Sequence, residues 1–111
     1  MRYKRADRVA ALLKEEVSQI LLREIKDPEL QFVTITKVKL SDDLRHAKLY
    51  YSVLQKIDKQ RVQKGLDRAN RFIRGEIGHR LDLRYVPTLQ FFYDDSADYA
   101  EHIDSLLKKI R

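Results

Sequence analysis

Apolar residues at Val9, Leu13, Val17, Ile20, Leu21 and Ile25 recur at steps of three and four, which predicts a helix from about Ala6 to Lys26 with one buried stripe. Asp27-Pro28 should end it, because proline disfavours the helical conformation of the residue before it and cannot donate the next backbone hydrogen bond. From Gln31 to Leu40 the chain is rich in β-branched residues, with Val33 and Ile35 on one phase and Val38 and Leu40 on the other. One extra residue restores the facing, so a strand bulged near Thr36 or Lys37 is predicted. Ser41-Asp42-Asp43-Leu44-Arg45 is turn material, after which Ala47, Leu49, Tyr51 and Val53 alternate with Lys48, Tyr50 and Ser52 as a second, antiparallel strand. A second helix should start near Asp58 or Lys59, with Val62, Leu66, Ala69, Ile73 and Ile77 as its stripe. The same register puts Arg80 in the middle of that stripe. The helix must therefore bend or end between about Ala69 and His79, where Gly75 and Gly78 lower the cost. Pro87 opens a third strand, Thr88 to Tyr93, with Leu89, Phe91 and Tyr93 facing one way and Gln90 and Phe92 the other. A final amphipathic helix carries Tyr99, Ile103, Leu106, Leu107 and Ile110, with an N-cap candidate at Asp95 or Ser96.

The order is helix, strand, strand, bent helix, strand, helix. A helical crossover lets the second and third strands lie parallel, while the first two form a hairpin. The pattern predicts an α+β fold: a three-stranded mixed sheet with helices on one face. At 111 residues, with no repeat, low-complexity segment or linker, the chain reads as one domain over 1–111 with a helical tail from about 95. Hydrophobic residues make up 43%, enough for a core at this length without a staple. Cysteine is absent, which excludes disulfides, thiol nucleophiles and Cys-ligated metals and fits a reducing cytoplasm. No apolar run approaches the roughly 20 residues of a membrane span, and the N-terminus lacks a signal-peptide segment, so a cytoplasmic protein with no membrane partner is expected.

Charge changes the picture. Lys and Arg number 23 against 17 Asp and Glu, a formal +6. Nearly all of the excess lies between Lys59 and Arg84, where Lys59, Arg61, Lys64, Arg68, Arg71, Arg74, Arg80 and Arg84 face only Asp67, Glu76 and Asp82. Arg61, Lys64, Arg68 and Arg71 fall opposite the second helix's apolar stripe and form a cationic ridge. Solvated helix faces are usually mixed in sign, whereas Asp67 is the sole acid between Lys59 and Arg74, so the ridge points to a polyanion such as a nucleic-acid backbone. Arg2, Lys4, Arg5 and Arg8 form either a second contact or a basic tail. Asp94, Asp95, Asp98, Glu101 and Asp104 form a separate acidic run. Asp95, Asp98 and Glu101 at a helix start, with Lys108, Lys109 and Arg111 at its end, match the helix dipole better than a metal site. Asp42 and Asp43 beside His46 read as turn carboxylates bonding their own backbone. His79 and His102 are isolated, and no nucleophile, base or phosphate-loop motif exists, so no catalytic residue, metal or cofactor is expected. Phe32, Tyr50, Tyr51, Phe72, Phe91, Phe92 and Tyr93 could stack bases, but their places in strands and stripes favour core packing.

Several linked motifs are similar to one family. Ile25-Lys26-Asp27-Pro28, Phe32-Val33-Thr34-Ile35-Thr36-Lys37-Val38 and Ser41 to Tyr50 resemble ribosome-binding factor A. Phe72-Ile73-Arg74-Gly75-Glu76-Ile77-Gly78, Leu83-Arg84-Tyr85-Val86-Pro87-Thr88-Leu89 and Asp94-Asp95-Ser96 continue the match in order. The resemblance implies a type II KH-like RNA-binding fold and no enzymatic activity. It further implies a monomer that joins the free small ribosomal subunit or its precursor, assists late ribosomal RNA maturation and processing, and supports growth in the cold. The alternative is a general KH-like RNA chaperone without a ribosomal target. Where that family bends its helix at Ala-x-Gly, this chain has Ala69-Asn70-Arg71, so the kink glycine is missing. It also has Ala100 and His102 where the family often has glycine and arginine.

Overall fold

The computed structural model describes residues 5–54 and 57–109. Arg2 and Lys4, named above as candidate contacts, lie outside the described residues, as do Ile110 and Arg111. The elements run α1 (Arg5–Arg23), a 3-10 turn (Pro28–Phe32), β1 (Val33–Leu40), β2 (His46–Val53), α2 (Lys59–Arg80), β3 (Thr88–Tyr93) and α3 (Ser96–Lys109).

The first helix stops at Arg23, short of the predicted Lys26, and β1 opens at Val33 instead of Gln31. Asp27-Pro28 starts a new element where it was expected only to end one. The Asp27 carboxylate accepts the Glu29 N–H at 3.0 Å, and Pro28 sits in the first turn, where its missing donor costs nothing. This turn drives Leu30 into the core at 1% exposure. Leu30 packs so close to α2 that a Cβ at Gly65 would lie 3.1 Å from its Cδ2, so a glycine suits that helix position.

β1 and β2 pair antiparallel, and the register jumps from Ile35 opposite Tyr51 to Lys37 opposite Tyr50, leaving Thr36 as the bulged residue. Its hydroxyl donates to Asp94 Oδ2 at 2.7 Å and lies 3.2 Å from the Tyr50 carbonyl, which ties the bulge to the end of β3. β2 and β3 are parallel, from His46 opposite Thr88 to Tyr51 opposite Tyr93, so β2 is central. α1 lies against β1 and α2 against β3. Both bury their stripes on Ile35, Ala47, Leu49, Tyr51, Leu89 and Phe91, the inward residues of the pleat. The predicted mixed sheet with α1 and α2 on one face is what forms.

As an edge strand, β3 has outward carbonyls with no strand partner, and α2 covers them with side chains. Gln63 Nε2 donates to the Phe91 carbonyl at 3.0 Å and Asn70 Nδ2 to that of Leu89 at 2.9 Å. Arg74 Nε donates to the Pro87 carbonyl at 3.0 Å and its Nη2 to that of Val86 at 3.1 Å. Alternate residues 87, 89 and 91 are matched, which fixes α2 along the strand and blunts the edge. Tyr51 adds to the seam by donating to Gln63 Oε1 at 2.5 Å, and burial pushes its phenol pKa up.

α2 does not end between Ala69 and His79; it runs to Arg80. Arg80 does not meet the apolar surface that would force a break there. It meets carboxylates: Glu16 on α1, Glu24 just beyond it and Glu76 one turn back, at 3.3, 3.2 and 3.5 Å. α3 keeps Tyr99, Ile103, Leu106 and Leu107 exposed, and none of its described side chains is buried. Asp95 holds the expected N-cap position, its carbonyl accepting the Tyr99 N–H at 2.9 Å, while the Asp94 carboxylate accepts the Ser96 N–H at 3.0 Å. The side chains of Asp98 and Glu101 lie outside the described ones.

Of the seven aromatics expected to pack in the core, Tyr51 and Phe91 are buried there and Tyr93 packs against it. Phe32, Phe72 and Phe92 are 48%, 47% and 39% exposed, and Tyr50 and Tyr93 are half-buried. Period alone could not tell which face of a strand or helix another element would cover.

Candidate nucleic-acid interface

α2 begins at Asp58, whose carboxylate accepts the N–H groups of Gln60 at 2.9 Å and Arg61 at 3.4 Å. From that cap, Arg61, Lys64, Arg68 and Arg71 are all exposed, on the side of the helix away from the buried Val62, Leu66, Ile73 and Ile77. Gly75 and Phe72 continue the exposed surface by one turn. An aromatic ring therefore stands beside the cations.

The predicted cations differ in what they already hold. Arg61 meets Glu29 at 2.6 Å and Arg68 approaches Asp27 at 3.8 Å, but these side chains are 70% and 68% exposed, so the pairs are screened and exchangeable. Lys64 and Arg71 have no ion pair or hydrogen bond among the described residues. They are the two ridge cations without an ion pair among the described residues, with exposed Asp67 between them in the helix. Arg74 is spent on the Val86 and Pro87 carbonyls, although its charge remains near the ridge. The Arg80 side chain, 28% exposed, is surrounded by three glutamates, and hydrogen bonding to Glu16 raises its already high pKa. It stands apart from the ridge as a clamp between α1 and α2.

A second basic cluster forms where α1, the β1–β2 turn and the α2–β3 loop meet. Arg5, Arg45, Arg84 and Tyr85 line a hollow of about 280 Å³, with Asp43 on its wall. The Arg45 and Arg84 guanidiniums lie 5.0 and 5.5 Å from the Tyr85 ring centroid, and Tyr85 is 52% exposed. Arg5 and Arg84 are thus brought together, away from the stripe of Lys64 and Arg71, while Arg8 is exposed on α1. Sequence reading missed Arg45, which it had placed in a turn. The turn itself is as expected: Asp43 accepts from the Ser41 hydroxyl at 2.6 Å and the Arg45 N–H at 3.1 Å, and these bonds lower its pKa. Leu44, with φ of 63°, completes the reversal that aims Arg45 at Tyr85. No signal short of the tertiary structure would have joined Arg45 to Tyr85.

Among the described residues no group of His, Asp or Glu could hold a metal ion, and no helix is long and apolar enough to cross a membrane. What fold and surface define is a basic α+β binding protein. The particular family follows from comparison: the chain belongs to the ribosome-binding factor A family, whose model matches residues 5–107. It is 50% identical over 109 residues to ribosome-binding factor A of Thermodesulfovibrio yellowstonii, covering 98% of this chain and 92% of that one. The protein of the same name from Latilactobacillus sakei is 45% identical, with 96% and 92% covered. The crystal structure of Thermus thermophilus ribosome-binding factor A superposes with a TM-score of 0.71 at 24% identity, over 79% of this chain and 94% of that one. A homology model of the Thermus thermophilus protein, fitted into the electron cryomicroscopy map of its 30S complex, gives 0.66 at 24% identity, with 78% and 91% covered. The two superpositions show a shared fold. Members of the family are not enzymes, and neither is this chain.

Proposed function

We propose that this protein binds the free small ribosomal subunit or its precursor in the cytoplasm, as a monomeric single domain of type II KH-like fold. There it assists late maturation and processing of small-subunit RNA, including in the cold. The observation that carries this reading is the exposed α2 ridge, where Lys64 and Arg71 have no ion pair among the described residues, in a member of the ribosome-binding factor A family. Arg61 and Arg68 join by exchanging carboxylate for phosphate, and Arg74 contributes its field. Arg5, Arg45 and Arg84 supply a second phosphate contact at the other basic cluster, and Arg8 adds an exposed charge on α1. Ala69-Asn70-Arg71 lies in the middle of the ridge, at the family's bend.

The mechanism is binding without turnover. A protein that grips an immature RNA arrangement stabilises it by its differential affinity over the mature one, and leaves once mature packing wins. Co-sedimentation with fractionated ribosomal particles tests the target: association with free small subunits and their precursors, and scarcely with large subunits or complete ribosomes, is the expected result. Equal association with every RNA-containing fraction would make the protein a general RNA chaperone. The force is tested by salt, since each neutralised duplex phosphate contributes about −0.9 to the log–log slope of affinity.

A further inference from the structure

The side of the sheet turned away from α1 and α2 presents lysines and aromatic rings to solvent. Thr34, Lys37, Lys39, Lys48, Gln90 and Phe92 are exposed there, with Tyr50 half-buried among them. Lys39 and Lys48 stand directly opposite each other across the β1–β2 pair. Like charges in that position destabilise a sheet. Neither has an ion pair or hydrogen bond among the described residues. Tyr50 and Phe92 are also cross-strand partners, with ring centroids 5.7 Å apart and planes at 31°. The Lys37 ammonium lies 5.9 Å from the Tyr50 centroid. Two carboxylates, Asp94 and Asp95, edge this surface, and Asp94 is held by Thr36 and Ser96.

We infer that this open face binds single-stranded RNA, with bases stacking on Tyr50 and Phe92 and phosphates meeting Lys37, Lys39 and Lys48. Aromatic rings offer a base something only when that base is unstacked, which a duplex does not provide, whereas two facing ammonium groups with no ion pair among the described residues call for an anion, even with Asp94 and Asp95 at the edge of the surface. His46, Lys48 and Tyr50 alternate along the outer side of β2 over about 13 Å, a length suited to two or three nucleotides. His46 Nδ1 is 2.9 Å from the Thr88 hydroxyl, so a polar pair stands at the far end of that track. The inference deepens the RNA-binding function proposed above and rests on it, but uses a surface separate from the α2 ridge.

The test measures anisotropy of a labelled oligouridylate and of a labelled RNA duplex at low salt, with wild type and two double variants. Tyr50→Leu with Phe92→Leu keeps apolar contact across the strands while removing the π faces. It should weaken oligouridylate binding about tenfold or more and leave duplex binding unchanged. Lys64→Glu with Arg71→Glu should act mainly on the duplex. Normal oligouridylate binding by the sheet variant, with loss of both RNAs in the ridge variant, would overturn the sheet site and leave the ridge reading standing. Wild type that binds neither RNA nor small subunits would overturn both. An oligoglutamate peptide that competes as well as RNA would make the face a site for acidic protein. Should the leucine variant fail to fold by circular dichroism, Lys39→Gln with Lys48→Gln, both exposed, carries the same expectation: a preferential loss of oligouridylate binding, whose absence overturns the site.

Discussion

Replacing Gly75 by alanine should raise the melting temperature. Gly75 lies inside α2, is exposed, and a Cβ built on it meets nothing within 4 Å, so the methyl group neither clashes nor gains a contact. Helix propensity alone remains, and it favours alanine over glycine by about 1 kcal/mol. Unfolding entropy near 2.1 cal/mol/K per residue gives about 0.23 kcal/mol/K for 111 residues, so the shift should be about +4 °C. Arg71→Gly is the mirror experiment: the same arithmetic gives about −4 °C if residue 71 sits in a regular helix. Thermal unfolding followed by circular dichroism reads both. A fall with Gly75→Ala would mean that the backbone at 75 is not regular helix. An Arg71→Gly variant as stable as wild type would place the family's bend at Ala69-Asn70-Arg71 after all. Small-subunit binding on the same preparations should be retained by Gly75→Ala and weakened by Arg71→Gly, which loses a ridge charge.

Ile73, 0% exposed beneath the ridge, should cost about 2–5 kcal/mol when truncated to alanine, measured by denaturant unfolding, with RNA affinity retained by the folded fraction. Asn70→Ala leaves the Leu89 carbonyl without its donor and should cost about 1–3 kcal/mol, whereas a solvent-facing asparagine would cost almost nothing. Lys64→Glu, Arg68→Glu and Arg71→Glu together should leave the melting temperature nearly unchanged while abolishing small-subunit co-sedimentation; normal binding by the folded variant would move the interface to Arg5, Arg45 and Arg84. Asp94 has its pKa lowered from 3.8 to about 2, chiefly by the Ser96 hydroxyl and then by Thr36 and the Ser96 N–H. A depressed folded-state pKa gives stability that is present above 3.8 and lost as pH falls through 2, so Asp94→Asn should flatten the melting-temperature profile in that window. An unchanged profile would refute the bulge-to-helix tie.

The elements themselves were legible in the chain because each is dictated by neighbours in sequence. The step of three and four at Val9 to Ile20, the phase slip at Thr36, the Asp58 start and the alternation after Pro87 all describe local geometry, and the observed α1, bulge, α2 and β3 follow them. The parallel pairing of β2 with β3 was equally accessible, since a helical crossover permits little else. The ridge was readable too, because residues three and four apart share one helix face. What the tertiary structure decided was the partner of each side chain. Arg61, Lys64, Arg68, Arg71, Arg74 and Arg80 look alike in one dimension, yet Arg74 caps a strand edge, Arg80 sits among Glu16, Glu24 and Glu76, and Lys64 and Arg71 stay open. Likewise, alternation put Phe91 and Phe92 on opposite faces, but only the placement of α1 and α2 determined that Phe91 would be core and Phe92 surface. Periodicity is set by bonds along the backbone, whereas burial and pairing are set by contacts between segments tens of residues apart, and no local pattern encodes those.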